Sequence, residues 1–497
     1  MLIRLQARGF KNLVDVDVWF GPFTCIAGAN GVGKSNLFDA ITFLSALADR
    51  PLMDAALSVR DEGGRTGDIR SLFNHVGDEF APEMSFEVDM IIPATGFDDL
   101  GQEARASSTF VSYAISLRYR DEGGIHSVGA LELTREELSY IKRGEISKHL
   151  RFDHSSAWKK SAILGRRWTP NYISTDQSRG VIKVHQDGGS SGKAQSLLAA
   201  NLPRTALSAA SAAESPTATL ARREMQSWRL LQLEPSALRE PDRFTAPAKL
   251  SSDGAHLPAT LYHLAKSGNG NGEIFDRNSD RGARVYSRVA TALSRLIDDV
   301  RTVKVDRDER RELLTLYVTG RDGTSHAARA LSDGTLRFLA LAVLALDPQT
   351  QGTICLEEPE NGIHPIRIPS MINLLEDLAT DVDAPVCPDN PLRQVIINSH
   401  SPAVVMQVPE DSLLMADLVE HYKGGRQFKS LAFRCLEGTW RHKAGLMQSV
   451  SLGKLLAYLN PVIVNDEELE DGSRAKRKRV VDREDFRQYR LFSETIT

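Results

Sequence analysis

The sequence predicts an α/β protein that combines a mixed or parallel sheet core, an antiparallel β subdomain and a mainly helical insertion. The core is predicted by an apolar strand that ends at Gly28 and leads into a helical pattern from Ser35. From residue 331 onward, apolar strands again alternate with helical stretches, which is typical of a parallel sheet. Strand-like segments at 84–92 and 109–120, with glycine-rich turns between segments, predict the antiparallel part.

Weaker patterns place the other elements. Alternating apolar and polar positions from residue 2 predict strands ahead of the apolar strand, residues 285–298 carry a helical apolar stripe, and 301–319 predict a strand hairpin. Gly, Ser and Ala dominate between about 187 and 221, which predicts a mobile loop followed by a weakly amphipathic helix. The predicted divisions are a first lobe, an insertion, a second lobe and a tail, at 1–185, 186–299, 300–440 and 441–497.

The composition is that of an ordinary globular protein. Of the 497 residues, 41% are hydrophobic and 25% are charged, which excludes the polar, highly charged composition of disordered chains. The formal net charge of −4 gives no global basic field. Any contact with nucleic acid must therefore come from a local basic patch.

Cysteine usage and apolar runs indicate the compartment. The four cysteines, Cys25, Cys355, Cys387 and Cys435, are widely separated and lack the spacing of a zinc site or the density of a disulfide scaffold. We expect them to be reduced thiols. The amino terminus has no apolar core of signal-peptide length, and no apolar run is long enough to span a bilayer. The sequence therefore predicts a cytoplasmic protein without a membrane partner.

The strongest motif is a phosphate-binding loop. Residues 28–35, GANGVGKS, fit the pattern GxxxxGK[ST] and lie between a buried strand and a helix, as the mechanism requires. Backbone N–H groups of such a loop surround phosphate oxygens, Lys34 neutralises the β- and γ-phosphates, and Ser35 can hold Mg²⁺. The residues expected to bind ATP here are Asn30, Gly31, Gly33, Lys34, Ser35 and Asn36.

Two adjacent carboxylates end an apolar strand further along the chain. Glu357 and Glu358 follow Ile354-Cys355-Leu356, at the edge where open α/β sheets bind ligands. Neighbours in a strand point to opposite faces, so the two side chains should differ in role. We assign Glu357 to the Mg²⁺ shell and Glu358 to polarising the attacking water. If no phosphate loop lay upstream, the two glutamates would be better interpreted as solvated surface charges.

Two further polar turns are ambiguous when taken alone. Ser332 and Gly334 lie in the turn LSDG, which opens an apolar helix and could be a simple helix cap. His400 follows the next apolar strand, in NSHSP, where it could reach a γ-phosphate or satisfy a loop carbonyl.

The order of these motifs resembles that of the ATP-binding-cassette (ABC) class of ATPase heads. Within that class, FKN at 10–12, EEPENGIHP at 357–365, INSHSP at 397–402 and LSSDGAHLPATLYHL at 250–264 resemble the RecF, Rad50 and OLD-like branch. The resemblance covers most of residues 1–415.

This resemblance implies an ABC-type head that sandwiches ATP between two protomers, so that a homodimer is the minimum assembly. Ser332 and Gly334 of one chain would contact the γ-phosphate held by Lys34 of another. His400 would sense that phosphate, and Glu358 would be the general base. Many relatives place a glutamine between the lobes; it has no obvious counterpart here, and Asn74-His75 stands roughly where it would be expected.

Several functions stay open at this point. The first hypothesis is an ATPase switch or sensor that controls a separately encoded effector, such as a nuclease, as in the anti-phage Septu, Gabija and PARIS systems that the chain resembles. It rests on an intact ATPase set without an attached effector, since fewer than about a hundred residues follow SHSP and no DxD occurs after residue 402.

The second hypothesis is a RecF-like or Rad50-like ATPase that maintains or repairs DNA and binds it directly. Two basic groups with a tryptophan are candidate DNA contacts, although isolated basic pairs are usually solvated; they are Arg166, Arg167 and Trp168, and Arg222, Arg223 and Trp228. A scaffold that binds ATP without hydrolysing it and a subunit of a transporter are further alternatives.

Overall fold

An eight-stranded antiparallel sheet and a six-stranded mixed sheet form the framework of the chain. The computed structural model describes residues 1–59, 68–121, 129–165, 171–187, 194–266, 280–297, 299–423 and 426–459. All the elements below lie within residues 1–459, which form one unit by their contacts. Most of the predicted tail lies outside the described residues.

The antiparallel sheet begins with the hairpin of the first two strands, which turns at Lys11-Asn12. Its strands, in hydrogen-bonded order, are Gln195–Leu198, Val181–Val184, Ile173–Asp176, Ala130–Tyr140, Phe110–Arg120, Glu83–Ile91, Leu2–Phe10 and Leu13–Trp19. The predicted strands at 84–92 and 109–120 are confirmed. The sheet is larger than those segments because the amino-terminal hairpin joins it through Leu2–Phe10.

The mixed sheet holds the candidate site. Its strands, in order, are Arg229–Leu231, Gly352–Glu357, Arg393–Ser399, Phe23–Ala27, Leu413–Lys423 and Arg426–Cys435. All neighbouring pairs are parallel except the last, which is antiparallel. Because parallel strands end at the same edge, the residues after Phe23–Ala27, Gly352–Glu357 and Arg393–Ser399 meet there. The predicted parallel core is confirmed.

Helices cover the sheets and bury two large apolar clusters. The described α-helices are Lys34–Leu47, Leu52–Leu57, Ile146–His149, Ser156–Ala162, Pro216–Gln226, Pro235–Arg239, Leu257–Lys266, Asp280–Ser294, Asp333–Leu346, Ile368–Leu378, Pro402–Val405, Trp440–Lys443 and Leu452–Leu459. In the first cluster, the ring of Phe43 lies 5.9 Å from that of Phe10 and 6.0 Å from that of Phe86. These contacts fix the helix that follows the phosphate loop against the antiparallel sheet.

The second cluster packs around the helix Asp333–Leu346, nearly all of whose apolar side chains are buried. A four-stranded sheet with the predicted hairpin Val300–Asp308 and Leu313–Gly320 adjoins it, completed by Asp242–Arg243 and Ser325–Ala327. The remaining described strands form two short hairpins, which are His75–Val76 with Glu79–Phe80 and Thr95–Phe97 with Glu103–Arg105.

The segment 186–299 contributes helices together with short strands, one of which is an edge of the mixed sheet. The lobe boundaries remain a prediction. Cys25, Cys355 and Cys435 are buried, Cys387 is exposed, and all are free thiols. In the described part of the chain, no helix combines the length and apolar character needed to cross a membrane.

A buried carboxylate joins the antiparallel sheet to the segment that follows it. Glu136 is fully buried and accepts hydrogen bonds from the amides of Ala206 at 2.7 Å and Leu207 at 2.8 Å and from the hydroxyl of Tyr113 at 3.1 Å. A glutamine at this position would place its own N–H donor against one of these donors, so that one hydrogen bond would be lost. At a pH above about 7, where Glu136 is ionised, we expect Glu136→Gln to lower the free energy of unfolding by about 2 kcal/mol, measured by urea denaturation. Glu137→Gln, at the half-buried neighbouring glutamate that pairs with Arg135, is the control, and equal effects would contradict the prediction.

The same site gives the stability a pH dependence. Burial raises the pKa of Glu136 from 4.5 to about 7, against the opposing effect of its hydrogen bonds. Between these values the folded chain holds a proton that the unfolded chain has released, so stability falls as the pH rises through this window. We expect Glu136→Gln to remove that slope.

Candidate nucleotide site

A cavity of about 550 Å³ lies at the carboxyl edge of the parallel strands. It is formed by the phosphate loop, the segment after Arg229–Leu231, the two carboxylates that follow the Gly352–Glu357 strand, and the helix Asp333–Leu346. Its lining residues are Asn30, Gly31, Gly33, Lys34, Ser35, Leu231, Gln232, Leu233, Glu234, Arg337, Leu341, Leu356, Glu357, Glu358, Pro359, Asn361 and Asn398. The structure therefore brings the predicted loop and both carboxylates together.

The phosphate loop is braced from outside by Asn12. Gly33 precedes the helix with φ of 96°, and a Cβ atom there would lie 2.0 Å from Asn12 Nδ2. That amide nitrogen donates to the carbonyl of Val32 at 3.1 Å, and Asn12 Oδ1 accepts from Asn36 Nδ2 at 2.8 Å. Asn36, which we expected to bind ATP, is absent from the cavity lining and contacts this brace instead.

Lys34 is a buried cation at the base of the cavity. Its side chain is 6% exposed, and Nζ donates to the carbonyls of Gly28 at 2.6 Å and Ala29 at 2.9 Å. Burial lowers the pKa of Lys34, and the carboxylates of Glu358 and Glu360 partly offset this. A bound anion in place of the two carbonyls would compensate for the free energy that the ammonium group loses on burial.

The two carboxylates line the same cavity, so the expectation that they face opposite sides is wrong. The strand ends at Glu357, and Glu358 adopts φ of 45°, a left-handed conformation that is uncommon outside glycine. Its amide donates to both the side-chain and the main-chain oxygen of Asn398, at 3.1 Å each. Strand alternation therefore no longer applies at Glu358. Such backbone strain is concentrated at functional sites.

Both oxygens of Glu358 have partners. His400 Nδ1 lies 2.7 Å from Oε1, and Asn361 Nδ2 donates to Oε2 at 3.0 Å. The carboxylate is 31% exposed and thus accessible to water while held in one orientation. The structure places His400, expected to sense a γ-phosphate, directly against the expected general base.

Gln232 also belongs to the site, although no sequence motif indicated it. It follows the short strand Arg229–Leu231, and its Nε2 donates to Glu357 Oε2 at 3.0 Å. Asn74-His75, which stands roughly where the glutamine of many relatives would be expected, does not line the cavity: Asn74 Nδ2 donates to the carbonyl of Lys11, and the ring of His75 packs on Phe80. A polar residue directly after a short apolar strand was the signal available in the sequence.

The turn LSDG lies outside the cavity of its own chain. Ser332 is exposed and caps the helix Asp333–Leu346, its Oγ accepting from the amide of Thr335 at 3.3 Å. The expectation of a helix cap is thus confirmed. Gly334 lies so close to Gly362 that a Cβ atom would be 2.3 Å from its carbonyl oxygen. The turn is therefore packed on the loop that follows Glu358.

Arg337, one turn further along that helix, links the walls of the cavity. Its Nε donates to the carbonyl of Leu233 at 3.0 Å, and Nη1 donates to that of Asn361 at 2.6 Å. The segment after Gln232 and the loop after Glu358 are thereby held to one helix.

Ser35 and Glu357 can hold a divalent cation. Both line the cavity, and hydroxyl and carboxylate oxygens are the ligands that Mg²⁺ prefers in proteins. Bound there, Mg²⁺ would neutralise charge on the β- and γ-phosphates.

The candidate DNA contacts are engaged within the chain. Arg222 forms an ion pair with Asp99, Arg223 pairs with the same carboxylate, and the buried indole of Trp228 donates to Glu224. Arg166, Arg167 and Trp168 lie outside the described residues.

The Gln232–Glu357 contact predicts a magnesium phenotype. Gln232→Ala removes the donor that orients Glu357, so we expect the Mg²⁺ concentration for half-maximal ATP hydrolysis to rise about tenfold. ATP binding measured without Mg²⁺ should be unchanged. Gln349→Ala, at an exposed glutamine, is the control. An unchanged Mg²⁺ titration would show that Gln232 has no such role.

Comparisons with known proteins agree with this geometry. Residues 23–122 and 144–406, together more than half of the chain, match the family described as "AAA domain, putative AbiEii toxin, Type IV TA system". The chain is 36% identical over 86 residues to the DNA replication and repair protein RecF of Clavibacter sepedonicus, which is 17% of this chain and 21% of that protein. It is 49% identical over 41 residues, 8% of each chain, to an OLD nuclease of Thermus scotoductus. The matched region thus spans about a fifth or less of each curated relative.

Among solved structures, similarity is found to an SMC head bound to the C-winged helix domain of ScpA. The TM-score is 0.45 at 12% identity, covering 88% of this chain and 98% of that one. The SMC head domain from Thermotoga maritima gives 0.36, also at 12% identity, with 88% and 99% covered. Similarity at this level assigns no function.

Proposed function

The chain belongs to this AAA-domain family and is an ATPase of the ABC class, and from that premise we propose that it hydrolyses ATP at sites shared between two copies of itself. One observation carries the proposal. The phosphate loop and the carboxylates converge on one cavity, whereas Ser332 and Gly334 do not line it. Ser332 is exposed at the start of a 14-residue helix, whose amino end favours an anion.

The side chains divide the reaction between them. Lys34 binds the β- and γ-phosphates in place of the carbonyls of Gly28 and Ala29. Glu358, held by His400 and Asn361, accepts a proton from the attacking water as the new bond to the γ-phosphorus forms and the bond to the ADP oxygen breaks. Ser332 and Gly334 of the partner subunit complete the phosphate shell, so hydrolysis removes the contacts that join the two copies.

We further propose that this cycle is a switch for a separately encoded effector, of the nuclease class, in defence against phage. The support for this is the intact ATPase set described above, and the family description names a putative toxin of a type IV TA system. The alternative is direct DNA binding in repair or maintenance, and the RecF similarity supports it.

The shared site is tested by mixing two inactive variants. Lys34→Ala lacks the phosphate-binding lysine, and Ser332→Arg blocks the turn that serves the other copy. A 1:1 mixture should recover about a quarter of the wild-type ATPase rate, because half of the dimers are mixed and each has one intact site. A mixture as inactive as its components would contradict a shared site.

The switch is tested by identifying what the trapped state retains. Glu358→Gln, tagged and expressed from the native locus, is purified beside wild type and Lys34→Ala and examined by mass spectrometry and nucleic-acid staining. A nuclease-like protein at fixed stoichiometry would support the effector. DNA retained only with ATP, and no such protein, would favour the repair alternative.

A further inference from the structure

The turn that should meet a phosphate carries a carboxylate. Asp333 lies between Ser332 and Gly334, and its side chain is 54% exposed. A carboxylate this close to a nucleotide phosphate repels it, and the repulsion grows as two surfaces close and exclude water. A chain that uses this turn to bind ATP must therefore compensate for Asp333.

Arg239 provides a matching cation. It is the last residue of the helix Pro235–Arg239, is 30% exposed, and forms an ion pair with Asp333 through Nη2. The same nitrogen donates to the carbonyl of Leu331 at 3.2 Å. In the described part of the chain, no partner is found for Arg239 Nε or Nη1. The guanidinium thus contacts both the charged side chain and a backbone carbonyl of the turn.

The helix that carries Arg239 is itself firmly placed. Leu238 is fully buried, the helix packs against Asp333–Leu346, and it begins three residues after Gln232, which contacts Glu357. Arg239 therefore projects from a fixed base, and its position relative to the turn is set by the fold.

We propose that Arg239 is a positioning residue for ATP hydrolysis, which neutralises Asp333 and holds the turn so that Ser332 and Gly334 can receive the γ-phosphate bound by the other copy. The inference rests on the proposed shared site and names a residue that no sequence motif indicated. An exposed ion pair contributes little to folding stability, so its loss leaves the fold intact and its effect is confined to the dimer with ATP.

The test removes the charge of Arg239, and then removes the charge of Asp333 as well to see whether dimer formation recovers. In the Glu358→Gln background, the ATP concentration for half-maximal dimer formation is measured by light scattering for three variants: Arg239→Ala, Asp333→Asn, and the two combined. We expect Arg239→Ala to raise that concentration about tenfold, and the combined variant to return to within about twofold of the background. Asp333→Asn alone should differ little from the background.

Two controls separate positioning from folding. ATP binding by dilute monomers, through Lys34, should be the same in every variant, and the melting temperatures should agree. Arg295→Ala breaks another exposed arginine–aspartate pair, with Asp377, and should leave dimer formation unchanged.

The outcomes are distinct. No effect of Arg239→Ala on dimer formation overturns the inference, and so does a combined variant as weak as Arg239→Ala, because neutralising Asp333 would then not be the function of Arg239. If the Glu358→Gln protein does not dimerise with ATP at all, the shared site is wrong, and the inference falls with it.

Discussion

Glu358→Gln is expected to reduce ATP turnover about 10²- to 10³-fold while leaving ATP bound. The amide keeps the shape of the carboxylate but cannot accept the proton of the attacking water. Its oxygen can still accept the hydrogen bond from Asn361, and the phosphate loop is untouched. The variant should therefore accumulate as an ATP-bound dimer.

Two measurements check this result. Steady-state phosphate release gives the rate, and light scattering with and without ATP gives the mass. Glu437→Gln, at an exposed glutamate, should retain wild-type turnover. Turnover by Glu358→Gln at the wild-type rate would remove Glu358 as the base.

Gly334→Ala should have the second largest effect. The added Cβ would lie 2.3 Å from the carbonyl oxygen of Gly362 and 2.9 Å from its carbon, and neither backbone atom can move without shifting the loop that follows Glu358. We expect ATP hydrolysis to fall at least about a hundredfold, because both the turn and the catalytic loop are displaced. ATP binding at Lys34 should persist.

The matched change is Gly453→Ala, where a Cβ atom would meet no heavy atom within 4 Å. Hydrolysis and binding of labelled ATP are measured for both variants. If Gly334→Ala hydrolysed ATP as fast as Gly453→Ala, the close packing of the turn on Gly362 would have no bearing on the reaction.

Contiguous patterns made the central elements predictable. The phosphate loop and its helix, the strand that ends at Glu357 and the strand before His400 each combine an apolar run with a polar turn in one stretch of sequence. Parallel strands then bring their ends to one edge, so a local pattern was sufficient to place these residues near one another.

Contacts between distant segments could not be predicted in this way. Gln232 reaches Glu357 only because a three-residue strand pairs with Gly352–Glu357 across more than a hundred positions, in a region whose composition indicated an insertion. Asn12 and Arg239 depend likewise on tertiary packing. The left-handed conformation of Glu358 depends on its amide bonds to Asn398, which strand alternation does not foresee.

The short segment from Gln232 to Arg239 touches the metal-side carboxylate at one end and the turn with Asp333 at the other. In the proposed dimer those ends belong to different nucleotides, one bound by the same chain and one by its partner. In each chain this segment therefore connects the nucleotide site of that chain with the nucleotide site of its partner, and the dimer contains two such connections. In such an assembly one intact site is sufficient for hydrolysis, and the departure of either γ-phosphate changes contacts that reach both sites.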